Sequence, residues 1–475
     1  MSLVFTASKK LTVKNKLTIK IFGLLTGTLA IGIVSSFIGL NTRQVLVISV
    51  FFTSVLGTLF FWDFRLGFVF IANGILFITG SVDVEHFIKF ASLDVIIFLI
   101  GMMLVVAVMK QSGIFHQVVF SLLKTRGITG IKLFVIIMVL SATFSALTGE
   151  VTSIIVMIAL ILDICSILSI NPVPLVVSSV LTTNIGSAST LIGNPIGVLI
   201  ALRAGITFED FLTRALPLSM TILAVAIIIL LFWFRDYIKE ISSKLADITL
   251  SKQLLEQPSP VVGNLLNMVI FCCLIVSIGL HKRFEILLGL EENRLLVILP
   301  ILFAGALLFF RCDRVKYCIK NEIEWKSLLF FMFLFAQAGV IQSSGTAQFL
   351  AEKLIGQIGN NSKLLVGATL FSSGFLSGIL DNTVVVASYI PIVKSLHSLH
   401  LSLKPLWWAM LFGACLGGNI TAIGSTANIV ALGILEKQRN TKVYFLEWFK
   451  LGVLVGILSM LIAYFAIAYI PLFSL

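Results

Sequence analysis

The chain has 475 residues, 58% of them apolar and only 12% charged, with a mean hydropathy of +1.09. An ordinary globular domain carries about a quarter charged residues, so 22 acidic side chains beside 39 Phe leave too little polar surface for a water-facing protein. The net charge of +12 does not indicate nucleic acid, because Lys and Arg sit in short clusters between apolar runs, where they set the orientation of a membrane protein.

The first twenty residues are basic (Lys9, Lys10, Lys14, Lys16, Lys20) and lead into an apolar run at 21–40. That run exceeds a signal-peptide core of about 7–15 residues and lacks an Ala-x-Ala-like site, so residues 1–42 read as a basic start and a retained anchor helix. Further spans of about 17–20 residues are expected at 43–62, 63–80, 93–110, 215–235, 261–280, 294–310, 325–343 and 449–470. Regions 132–163 and 364–397 are apolar but broken centrally by Thr148-Gly149-Glu150 and by Asp381-Asn382, and read as re-entrant hairpins. Regions 171–203 and 405–435 are interrupted by Gly, Asn, Ser and Thr and read as broken helices. The polar stretch 236–260, ending in Pro258 and Pro260, reads as a cytoplasmic linker between a first half (43–235) and a second (261–475). The expected fold is an all-α polytopic membrane protein with about 11 transmembrane helices and two re-entrant hairpins.

Charge counting orients it. Let the N-terminus be cytoplasmic, each continuous or broken span cross once, and both hairpins return to their own side. The cytoplasmic side then collects 23 of the 34 Lys and Arg, a strong positive-inside bias that leaves the C-terminus outside.

The six cysteines (Cys165, Cys272, Cys273, Cys312, Cys318, Cys415) show no C-x-x-C spacing and read as small buried hydrophobes. His397 and His400 read as loop residues and not as a metal pair. Neither GxxxxGK[ST] nor GxGxxG occurs, so no nucleotide site is indicated. The GxxxG pairs Gly23–Gly27 and Gly452–Gly456 mark candidate helix–helix or dimer contacts.

The chain repeats itself. A shift of 231 pairs Pro174 with Pro405, Gly186 with Gly417, Thr190 with Thr421 and Gly193 with Gly424, and a shift of 232 pairs Gln111-Ser112-Gly113 with Ser343-Ser344-Gly345. Under the charge-derived orientation the two copies are inverted, the pattern of a secondary transporter that holds its substrate near the midplane. Irregular backbone at membrane depth survives only where it lines a cavity or is covered by protein. The candidate site is therefore Asn184, Ser187, Ser189, Thr190 and Asn194 in the first break, with Gly418, Asn419, Thr421, Ser425, Thr426 and Asn428 in the second. The tips add Gly149, Glu150 and Thr152, and Asp381, Asn382 and Thr383. A carboxylate at mid-bilayer costs about 2.5–3.5 kcal/mol on insertion scales and marks a functional site by default. Glu150 and Asp381, with Asn194 and Asn428, are candidate sodium ligands, and either acid is a candidate proton carrier. One offset pairs Glu150 with Asp381, and the other pairs Gly149-Glu150 with Asp381-Asn382; both pairings stay open.

Leu380-Asp381-Asn382-Thr383, followed by the run from Leu416 to Val430 and by Glu436-Lys437, resembles the second half of the ion-transporter superfamily. That group includes arsenite permeases, sodium/proton antiporters, the melanosomal P protein, and citrate and dicarboxylate carriers. Thr183-Asn184-Ile185-Gly186 and Ile192-Gly193-Asn194-Pro195 resemble its first interrupted helix. The resemblance covers about 43–470. It implies a dimerising scaffold domain, a transport domain of two hairpins and two broken helices, and elevator-like movement. The chain departs from the family pattern at Gly149-Glu150, where relatives tend to have Asp-Asn, and at Gly193-Asn194-Pro195-Ile196-Gly197, where they tend to have Gly-Asp-Pro-Pro-Asn. The expected function is secondary active transport of a small anion or oxyanion, carboxylate or arsenite-like, across the cell membrane. Sodium or a proton is the expected coupling ion; no other cofactor, no enzymatic activity and no nucleic-acid partner is expected, and a homodimer is. The rivals are a sodium/proton antiporter and, of another class, an ion channel.

Overall fold

The computed structural model describes residues 2–115, 117, 128–246, 265–310, 315–359, 361–396, 402–439 and 443–473. Among these residues no strand forms, and the chain is an all-helical multi-pass membrane protein. A helix satisfies its backbone polar groups within the segment, which lipid demands. Eight described helices are long and apolar enough to cross a membrane: Leu17–Ile38, Thr42–Phe60, Leu93–Gln111, Gly130–Thr148, Glu150–Leu168, Phe208–Trp233, Trp325–Ser343 and Phe445–Tyr469.

Contacts divide the chain into two units, one of residues 1–93, 325–360 and 387–403, the other of the remainder. In the first, the basic start and anchor run form one helix, Ser2–Ile38. It packs on Thr42–Phe60 through Gly23 and Gly27, against Phe60 and Leu56. The first GxxxG pair is thus a contact within the chain. Asn41 and Gln44 cap Thr42–Phe60 reciprocally. Arg65–Ile78 and Trp325–Ser343 lie beside it. Arg65 donates to Ser327 Oγ (2.9 Å) with its guanidinium 4.2 Å from the Trp62 ring.

The second unit contains both hairpin tips and both broken helices. Gly130–Thr148 packs along Val173–Ser187, and Ser362–Ser377 along Lys404–Gly417. A Cβ on Gly186 would collide with the Ala142 carbonyl, and one on Gly417 with the Gly374 carbonyl; only glycine lets these backbones approach so closely. Asp94 accepts a two-pronged contact from Arg203 (2.8 and 2.9 Å), and Lys110 donates to Glu322 (2.9 Å). Both ends of Leu93–Gln111 are so fixed.

Some segments differ from expectation. The expected span 63–80 is a 3-10 turn, Trp62–Phe64, and a 14-residue helix, Arg65–Ile78. By contrast, Leu265–Gly279 and Arg294–Phe310 match the expected spans 261–280 and 294–310, of which 261–264 lie outside the described residues. The linker 236–260 begins not as a loop but inside an amphipathic helix, Arg235–Leu245, which buries Ile238, Ile241 and Leu245. The apolar spacing of three and four residues was present under the charges. This helix docks on the first hairpin, where Gly130 N donates to Ser242 Oγ (3.1 Å). Cys272 and Cys273 are exposed, whereas Cys165, Cys318 and Cys415 are buried. Pro258, Pro260, Cys312, His397 and His400 lie outside the described residues.

Candidate functional site

The first hairpin turns at Gly149, which has φ +89° and ψ +150°, a region open essentially to glycine alone. Both arms have 19 residues, enough to span, yet the tip rests on the middle of the first broken helix. Glu150 N donates to Gly193 O (3.0 Å), and the Thr190 hydroxyl donates to Ala146 O. The second tip is held the same way, by the Thr421 hydroxyl on Gly378 O.

Helix starts and these contacts favour one pairing of the two sequence copies. Helix starts at Leu93, Gly130 and Glu150 recur 232 residues later at Trp325, Ser362 and Asn382. Starts at Val173 and Pro195 recur 231 residues later at Lys404 and Thr426. Ala142 and Ala146, in the first hairpin, play the parts of Gly374 and Gly378 in the second. The hairpins therefore correspond at 232, which makes Glu150 the counterpart of Asn382 and Gly149 that of Asp381. The two acids are not mates. Each stands where the other half has a neutral residue.

The breaks run from Ala188 to Asn194 and from Gly418 to Ser425. Asn194 Oδ1 accepts from Gly197 N (2.7 Å), and Ser425 Oγ from Ala427 N (3.1 Å), so paired residues cap the two resumed helices. Asn194 Nδ2 donates to Ser187 O (3.1 Å), Ser187 Oγ (3.0 Å) and Cys415 Sγ (3.1 Å). Asn184 Nδ2 donates to Asn419 Oδ1 (2.8 Å) and Asn428 Oδ1 (2.9 Å), and Asn184 Oδ1 accepts from Ser425 Oγ (3.1 Å). Asn184 touches Ser425 as its counterpart Cys415 touches Asn194, a reciprocal crossing of the two halves. Asn428 Nδ2 donates to Gly418 O (2.8 Å) and Thr421 O (2.9 Å), and Asn419 Nδ2 to Leu181 O (3.2 Å). Ser189 Oγ donates to Gly186 O (2.6 Å).

The acids differ in what surrounds them. Asp381 accepts on both oxygens: Oδ1 from Thr383 N (3.0 Å) and Oδ2 from Thr426 Oγ1 (2.6 Å). Glu150 is buried, lies against the Ser187 hydroxyl with Cys415 close by, and leaves Oε2 with no hydrogen-bond partner. Turned with its nitrogen inward, the Asn382 amide donates to Gly424 O (2.9 Å), Ala414 O (3.3 Å) and Ser377 Oγ (2.6 Å). Thr152 is half-buried beyond the first tip. The oxygens of Asn194, Asp381 and Asn428 each accept one hydrogen bond within the fold, whereas Glu150 Oε2 accepts none. Among the described residues no group of three His, Cys, Asp or Glu could hold a metal.

Sequence reasoning missed two members. Cys415 looks like core filler in an apolar run, and its place emerges only through its partner Asn194. Trp448 donates from Nε1 to Asn419 O (3.1 Å), where Gly452 brings the last helix onto the Asn419 carbonyl. The second GxxxG pair thus also acts within the chain.

The model of the citrate transporter family (CitMHS) matches residues 45–410 and 332–473. The chain belongs to that family. An uncharacterized transporter of Mycobacterium tuberculosis is 30% identical over 377 residues, 78% of this chain and 84% of the relative. The 46 kDa membrane protein of Mycobacterium leprae is 30% identical over 378 residues with the same coverage. The P protein of Homo sapiens is 24% identical over 440 residues, 78% of this chain and 52% of that longer protein. The YdaH transporter of Alcanivorax borkumensis shares the fold, with a TM-score of 0.52 at 15% identity over 84% of this chain and 88% of that one. Membership makes this chain a secondary transporter of the citrate-transporter type, acting on a small solute across the bilayer.

Proposed function

We propose that the protein moves a small anion or oxyanion, a carboxylate such as citrate or an arsenite-like species, across the cell membrane against its gradient. A proton or sodium ion entering at Glu150 drives the movement. The carrying observation is the meeting of two hairpin tips and two broken helices around one buried polar network. Four helices start there, at Glu150, Pro195, Asn382 and Thr426, and the positive ends of their dipoles suit an anion. On this reading the two halves are inverted repeats, the N-terminus is cytoplasmic and the C-terminus outside. The unit that holds the tips rises and falls as an elevator, in a homodimer.

The tips and breaks hold two carboxylates and no Lys, Arg or His. An anion therefore needs a compensating cation, and the spare oxygen of Glu150 offers the place. That same charge balance favours the second reading, a sodium/proton antiporter with no anionic cargo.

In proteoliposomes Glu150→Gln is expected to keep exchange of internal for external citrate. It should lose gradient-driven accumulation by roughly tenfold or more, the factor given by about 1.4 kcal/mol. Undiminished uphill accumulation by this variant refutes the role of Glu150. Sodium/proton exchange without flux of any anion favours the second reading.

A further inference from the structure

The first unit carries a second buried polar cluster, which the transport site does not use. Thr42–Phe60, Arg65–Ile78 and Trp325–Ser343 pack against one another, and each buries one polar side chain near its middle: Ser54, Asn73 and Gln337. All are at most 1% exposed. Asn73 Nδ2 donates to Val69 O (2.7 Å) and Phe333 O (3.1 Å), and Gln337 Nε2 donates to the same Val69 O (3.3 Å). Sharing that carbonyl holds the two amides side by side. Their oxygens, Asn73 Oδ1 and Gln337 Oε1, accept nothing, and Ser54 Oγ has no partner, not even the carbonyl one turn back.

The direction of Ser54 follows from helix geometry. On Thr42–Phe60, Gly57 faces Phe68 of the second helix, and Gln44 reaches Ser344 O beyond the end of the third. At about 100° per residue, Ser54 points between those two directions, into the seam where the amides lie. Each orphaned group in so dry a place costs about 1–3 kcal/mol, and buried polar groups in native proteins are almost always satisfied by protein or by water.

We propose that one water molecule sits in this seam, donating its two protons to Asn73 Oδ1 and Gln337 Oε1 and accepting from Ser54 Oγ. Three bonds is the usual complement of a buried water. Two acceptors and one donor match a water's two protons and a lone pair. A cation fits worse, because the three helices carry no Asp or Glu and an uncompensated buried charge is costly.

A high-resolution map of the full-length wild-type protein is expected to show one density peak about 2.5–3.0 Å from all three oxygens. Direct contact among the three side chains, with no peak between them, overturns the proposal. In detergent, Ser54→Ala combined with Asn73→Ala should lower the melting temperature no further than the worse single variant, since either change dismantles the same bridge. Fully additive losses count against it. A melting temperature that sodium raises over choline in the wild type, but not in Asn73→Ala, replaces the water with a sodium ion and also overturns it.

Discussion

Asn184→Ala is expected to cut transport by more than about tenfold and to lower the melting temperature by several degrees. The amide ties the first broken helix to Asn419, Asn428 and Ser425 of the second through three hydrogen bonds of 2.8–3.1 Å. Truncation strands the two amide oxygens and breaks the crossing between the halves. Hydrogen bonds between membrane helices average about 0.6 kcal/mol, while an orphaned buried group costs about 1–3 kcal/mol. Two stranded oxygens thus cost about 2–6 kcal/mol, above the tenfold threshold of about 1.4 kcal/mol. Thr143→Ala is the control: its exposed hydroxyl bonds only to Val139 O of its own helix (2.8 Å), so the change stays within about 0.5 kcal/mol. Uptake into proteoliposomes and melting in detergent measure both. Equal behaviour of the two variants would remove Asn184 from the site.

The second large effect is expected at Gly417. A Cβ there runs into the Gly374 carbonyl, part of the hairpin arm, and a backbone atom has no alternative rotamer. The arm must shift and carry the tip from Gly378 to Asn382 with it. Overpacking usually costs about 1–3 kcal/mol and more where nothing can yield. Gly417→Ala should therefore lose the monodisperse peak in size-exclusion chromatography, and Gly186→Ala, against Ala142, should behave alike. Gly374→Ala is expected to do less harm, because its Cβ meets the flexible Met460 thioether before any backbone. A Gly417→Ala protein that is as monodisperse and as thermostable as wild type contradicts the close packing of arm and broken helix.

Much of the fold was legible because lipid permits so few structures. Long apolar runs at 43–62 or 325–343 can only be helices, and polar interruptions such as Thr182–Asn194 can only be covered or functional. The symmetry was half legible. Thr190 and Thr421 announced one offset, but the hairpins obey another by one residue, and only the contacts of Ala142, Ala146, Gly374 and Gly378 reveal it. Hence the sequence left Glu150 between two counterparts. The ion pair of Asp94 and Arg203 joins residues 109 apart, and neither helix end shows its partner. Cys415 was invisible for a different reason: a thiol among Ala414, Leu416 and Phe412 has nothing in its local pattern to distinguish it from packing. The helix Arg235–Leu245 was legible but overlooked, its apolar stripe outweighed by its charges.

The measurement that bears most directly on the central claim is solute uptake by purified protein in sealed liposomes under an imposed proton or sodium gradient. A single carrier site at the crossing of the broken helices predicts saturable citrate or oxyanion uptake above the external concentration. An ionophore should abolish it, and it should be absent from folded Asn419→Ala and Asp381→Asn proteins. Ohmic current without saturation, or uphill uptake unaffected by both substitutions, would contradict it.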